Sequence, residues 1–121
     1  VLPVPAVAST APVDDDTQEL WTCHTVWGCT LASVVADIAG FFASLPDGHC
    51  ETLIVDIQKS FGFTCPRHDD MLERALRPIA RLAVDRDALG QPLREVWARS
   101  PHRRVVILHH DEDVAARSPV V

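Results

Sequence analysis

The chain has 121 residues, 47% of them hydrophobic and 23% charged, with a formal net charge of −6. One globular domain fits that length and composition, and the apolar content is too high for a disordered chain. The negative balance argues against nucleic acid as a partner, because a phosphate-binding surface calls for a basic excess. No stretch is long and apolar enough for a membrane-spanning helix. The four cysteines, Cys23, Cys29, Cys50 and Cys65, are an even count in a short chain. That pattern points to two disulfides and an oxidising, secreted location. Neighbour pairing, Cys23–Cys29 and Cys50–Cys65, is the simplest of the three connectivities.

In chain order, residues 1–16 are rich in Pro, Ala and Val and end in Asp14-Asp15-Asp16, which reads as a flexible leader. Residues 17–110 are expected to form a single helical domain. Trp21 to Gly28 carries two tryptophans around Cys23 and shows no clear period. Thr30 to Leu45 is the clearest helix: Leu31, Val34, Val35, Ile38, Phe41, Phe42 and Leu45 recur at helical spacing. Pro46-Asp47-Gly48 stops it. Leu53-Ile54-Val55-Asp56-Ile57 is short and branched, and fits a strand or a helix.

The spacing predicts a second helix from Pro66 to Ala83, with Thr64 able to cap it and Pro66 suited to its first position. Its apolar stripe is Met71, Leu72, Ala75, Leu76, Ile79 and Leu82, and Pro78 should kink it. Val84 to Ser100 reads as an imperfect third helix, interrupted by Gly90 and Pro92. Val105 to Leu108 is β-like, and 111–121 reads as a polar tail. The fold class expected is mainly α: a small disulfide-stapled helical domain with little β-structure.

The chemistry concentrates in Phe61-Gly62-Phe63-Thr64-Cys65-Pro66-Arg67-His68-Asp69. His68 shares the stripe of Leu72, Ala75 and Ile79, while Asp69 is rotated about 100° from it. The two side chains therefore serve different tasks. A neutral imidazole takes a proton from water when a carboxylate holds its other nitrogen. Asp85 or Asp87, at the start of the next element, is placed to supply that carboxylate. Asp69 is left to bind a hard cation such as Ca²⁺.

Taken with Asp47-Gly48-His49-Cys50, this segment resembles the small secreted phospholipases A2 of fungi and bacteria. That family combines a similar Asp-Gly turn, a Gly-Phe loop and Cys-x-x-His-Asp opening its catalytic helix. Val84-Asp85-Arg86-Asp87-Ala88-Leu89 resembles its later helix. The likeness covers about residues 47–97. It implies a phospholipase A2-like helix pair and a Cys50–Cys65 disulfide. In it, His68 activates water, Asp85 orients His68, and Asp47 and Asp69 bind calcium, which polarises a glycerophospholipid ester. The expected partner is then a phospholipid or membrane surface.

Other readings compete. A small secreted cysteine-containing protein without catalysis, an effector or binding module, accounts for the same residues. Zinc held by Cys23, His24, Cys29, His49, Cys50, Cys65 and His68 suffers from the wide Cys23–Cys29 gap. His109-His110-Asp111-Glu112-Asp113 fits a solvated tail better than a metal site. Trp21, Trp27, Phe41 and Phe42 suit a membrane interface, although helical spacing assigns Phe41 and Phe42 to the core.

Overall fold

A computed structural model describes residues 19–24, 26–63, 65–118 and 120–121. The leader over 1–16 and the proposed cap Thr64 lie outside them. Two strands, β1 (Trp21–His24) and β2 (Val26–Thr30), are followed by helix α1 (Leu31–Ser44) and strand β3 (Leu53–Ile57). Helix α2 (Pro66–Ala80), one 3₁₀ turn (Arg86–Ala88), helix α3 (Leu93–Arg99), strand β4 (Val105–His109) and helix α4 (Glu112–Arg117) complete the order.

This is a mixed α/β arrangement, which corrects the expected mainly α, disulfide-stapled domain. β1 and β2 form an antiparallel hairpin, and β3 pairs with β4 in parallel, Leu53 opposite Val105 through Ile57 opposite His109. The parallel pair needs a long crossover, and α2, the 3₁₀ turn and α3 supply it. Ala83 adds one parallel bridge to Val105 on the other side of β4. β4 is therefore the middle of the sheet.

The core lies where α1 and α2 meet the odd-numbered face of that sheet. Val35 and Phe42 of α1, Leu72, Leu76 and Ile79 of α2, Ala83, Val105, Ile107 and Val114 form one buried cluster. α2 has the sharper amphipathic division, and its stripe matches the spacing read from the sequence. It ends at Ala80, two residues beyond Pro78, so Leu82 and Ala83 leave the helix to reach β4.

α1 starts where Thr30 caps it. The hydroxyl of Thr30 accepts from the Ser33 N–H at 3.2 Å. Thr30→Ala is expected to lower stability by about 0.5–2 kcal/mol, whereas Thr30→Ser keeps the bond and most of the stability. Urea titration of both variants against wild type checks this.

The hairpin carries a bulge on which two of the cysteines depend. Trp21 pairs with Thr30 and Cys23 with Trp27, so Gly28 and Cys29 together oppose Thr22. Cys29 is thereby carried to the side of Thr22: the Thr22 hydroxyl donates to the Cys29 carbonyl at 2.9 Å and lies 3.8 Å from its sulfur. Gly28 is required here, since a Cβ would stand 2.5 Å from Thr22 Oγ1. Cys23, one residue on from Thr22, points to the opposite face. The expected Cys23–Cys29 disulfide does not form, and both thiols are exposed.

Two elements depart further from the pattern. Only Leu93–Arg99 of the expected third helix is α-helical. Trp97 ties it down, donating from Nε1 to Thr52 Oγ1 at 3.0 Å and lying under the Arg104 guanidinium. Within 111–121, read as a tail, Asp111 caps α4 by accepting from the N–H groups of Asp113 and Val114, and Val114 enters the core.

Candidate functional site: a cysteine–histidine pair opening α2

Cys65 is the N-cap residue of α2, with extended backbone, and its side chain makes no capping bond. Pro66 follows at the first helical position, where a missing N–H costs nothing. The His68 N–H donates to the Cys65 carbonyl at 3.0 Å, which closes the first turn. That turn brings residues three apart onto one face. Cys65 Sγ lies 3.6 Å from His68 Nδ1 and 4.0 Å from Nε2. Phe63 packs a tilted ring against the imidazole, with centroids 5.9 Å apart. The thiol is exposed and the imidazole half-buried.

The partners expected from the sequence are elsewhere. Asp85 lies beyond the opposite end of α2, whose fifteen residues span about 22 Å. Its carboxylate pairs with Arg103 Nη1 at 3.2 Å. The geometry thus aligns His68 with a thiol at its own helix end, and Asp85 with a guanidinium. Asp87 sits in the exposed 3₁₀ turn beside Asp85, at that same far end.

The calcium ligands fare no better. Arg117 Nε donates to Asp69 Oδ2 at 2.7 Å, so the carboxylate assigned to a cation already faces one. Asp47 is exposed in the turn after α1, beside Gly48, whose φ of 77° only glycine adopts without strain. Among the described residues no group of three or more His, Cys, Asp or Glu side chains gathers in a way that fits a metal ion. No such group holds the calcium ligands Asp47 and Asp69 expected from the sequence. Cys50 and Cys65 are both free and exposed. The Cys50 sulfur turns back to the Gly48 carbonyl at 4.0 Å, while that of Cys65 faces His68, so the Cys50–Cys65 disulfide is also corrected. His49 packs against Phe42, with ring centroids 5.8 Å apart.

A second cluster stands at the carboxyl ends of the parallel strands, the usual ligand side of such sheets. His109 is buried there, and its Nδ1 accepts from the Asp111 N–H at 2.9 Å. The neutral ring therefore carries its proton on Nε2, which donates to Ser60 Oγ at 2.7 Å. Ser60 is the acceptor, so His109 does not serve it as a base. Burial pushes His109 below the usual histidine range, with Asp111 opposing the shift. Next to it, His110 Nε2 meets Asp56 Oδ1 at 2.7 Å, and Ser118 Oγ bonds to Glu73 Oε1. The bonds of His109 to Ser60, His110 to Asp56 and Ser118 to Glu73 join residues 109–118 to the loop after β3, to β3 and to α2. The cluster is a fastening of α4, and sequence reading missed it because it treated 109–121 as solvated.

Comparison with family models, curated proteins and solved structures finds no match to this chain.

Proposed function

We propose that this is a thiol-reactive protein whose nucleophile is Cys65 and whose general base is His68. The observation that carries the reading is the 3.6 Å approach of an exposed sulfur to an imidazole nitrogen on the first turn of α2. A nucleophile and a base within reach of one another, with the base held by a third group, is the minimal arrangement for covalent catalysis. Phe63 is that third group here, holding the ring by packing.

Thiol–disulfide exchange is the reaction that asks least of the surroundings, because it needs no oxyanion site. The Cys65 sulfur attacks one sulfur of a disulfide as His68 takes the thiol proton. The S–S bond breaks, a mixed disulfide forms on Cys65, and the departing thiolate receives the proton from His68. All four cysteines are exposed and reduced, although free cysteine is among the most buried residue types, which supports a chemical role for the thiols.

The test is reaction of the full chain with oxidised glutathione, followed site by site by mass spectrometry. Cys65 is expected to form its mixed disulfide at least about tenfold faster than Cys23, Cys29 or Cys50, and His68→Ala to remove that advantage. Equal rates at all four thiols, or a His68→Ala protein as fast as wild type, would sink the proposal. Fatty-acid release from phospholipid vesicles, with and without EDTA, tests the calcium-dependent esterase reading on the same preparation; nothing in the geometry favours it. The case for an oxidising, secreted location rested on two disulfides and loses that support with them.

A further inference from the structure

A cleft of about 360 Å³ lies between the 3₁₀ turn and α3, at the end of α2 remote from Cys65 and His68. Local hydrogen bonds fix its frame. Ala88 donates to the Asp85 carbonyl at 2.9 Å and Gln91 to that of Ala88 at 3.0 Å, which carries the chain from the turn to α3. Ser100 donates to the Val96 carbonyl at 2.9 Å and Arg103 to that of Ser100 at 3.0 Å, which shapes the chain leaving α3. The Arg103 side chain is held twice, by the Ala83 carbonyl at 2.8 Å and by Asp85 at 3.2 Å. Val84, Ala88 and Val96 supply the apolar part of the lining. A preformed cleft of a few hundred Å³ with a few convergent polar groups is the usual setting for a small ligand.

Three charged side chains on that lining are left over. Asp87, Glu95 and Arg99 all border the cleft, and their side chains make no ion pair or hydrogen bond among the described residues. Glu95 and Arg99 stand four residues apart on α3, in the order that favours pairing along a helix. They line one cleft and do not meet. The other charges there are engaged: Asp85 with Arg103, and Arg86 with the main-chain oxygens of Ala115 and Val121. Two carboxylates and one guanidinium therefore face the cleft without partners, a local excess of one negative charge.

A ligand that satisfies all three carries two cationic groups and one carboxylate. An amino acid with a cationic side chain has that set and the matching net charge. We propose that this cleft binds a free cationic amino acid. Arg99 takes the α-carboxylate on its guanidinium, Glu95 takes the α-ammonium one helical turn away, and Asp87 on the 3₁₀ turn takes the side-chain cation. The aliphatic stem of the ligand lies on Val84, Ala88 and Val96. This inference does not depend on Cys65 or His68.

The test is titration of the isotopically labelled full chain with L-arginine at constant ionic strength, followed by its amide resonances. Saturable shifts are expected within residues 84–103, with a Kd of about 1 mM or tighter. Citrulline, whose urea is neutral, should bind at least about tenfold more weakly. N-acetyl-arginine, which imitates the last residue of a peptide, should do the same, having lost the ammonium. Agmatine lacks the carboxylate, and it too should bind at least about tenfold more weakly although it carries more positive charge. Arg99→Gln should weaken L-arginine about tenfold and leave agmatine unchanged, which also shows that the variant is folded. Three results would each overturn the proposal. Agmatine binding as tightly as L-arginine would reduce the effect to general attraction by a chain of net charge −6. Citrulline or N-acetyl-arginine binding as tightly would remove the need for a free cationic amino acid. No saturable shift within residues 84–103 at millimolar L-arginine would leave the cleft without this ligand.

Discussion

Replacing Leu76 by alanine is expected to cost about 3–5 kcal/mol, a large part of the roughly 5–15 kcal/mol that holds a domain of this kind together. Leu76 is 0% exposed and belongs to the one cluster that α1, α2, β4 and α4 share. Its neighbours there are themselves buried and close-packed, so the walls of the cavity left behind cannot collapse far. Urea unfolding should show a midpoint far below wild type, or no cooperative transition at all. Phe61→Ala, at a ring 66% exposed, removes more atoms and should change stability by about 0.5 kcal/mol or less. If the two variants unfolded together, the core would not be centred on α2.

The second large effect is an acid destabilisation centred on His109. Its pKa is lowered in the folded state, chiefly by burial. The unfolded chain then binds the proton more readily, so the stability His109 confers is complete above its unfolded pKa of about 6.5. It is lost as pH falls through that value toward the folded one. Geometry gives the loss a specific route. A proton on Nδ1 removes the acceptor for the Asp111 N–H, and Asp111 is the cap of α4. Asp69 and Asp111 favour the charged ring and His110 opposes it, so the net direction rests on burial. Between pH 7 and 5, stability should fall by up to about 1.4 kcal/mol per pH unit, with α4 resonances lost first. His109→Gln, whose amide oxygen can accept from the Asp111 N–H, should flatten that slope. An unchanged slope would assign the acid sensitivity to another group.

α1 and the stripe of α2 were legible because helical periodicity is written in local apolar spacing, and both elements fall within a few residues of their expected ends. β3 and β4 were legible as β-prone runs but not as partners, since nothing in Leu53–Ile57 states that its neighbour comes fifty residues later. Their pairing decides the fold class. Helix α4 was hidden by its charge: Val114 is the one side chain of Glu112–Arg117 in the core, too few to make a period. The bulge at Gly28 was equally silent, and it separates two cysteines that counting alone would join. At the site, the sequence placed His68 and Asp69 correctly on different faces of the first turn. It assigned their partners by resemblance, across a helix whose length keeps His68 from Asp85. Cys65, three residues before His68 on the same turn, was the partner that spacing alone offered. In the continuation Asp70-Met71-Leu72-Glu73, Leu72 is a core residue.

The parallel pairing of β3 with β4 has a consequence for how the chain is made. The hairpin, α1 and α2 are built from neighbours in sequence and can form as soon as they leave the ribosome. β3 cannot, because its one strand partner among the described residues is β4. Until β4 emerges, Leu53–Ile57 has neither edge paired, and its five residues contain one charge and no proline. Such a segment is open to pairing with the same strand of another nascent chain. Synthesis of this protein therefore has a vulnerable interval whose length is set by the crossover through α2 and α3.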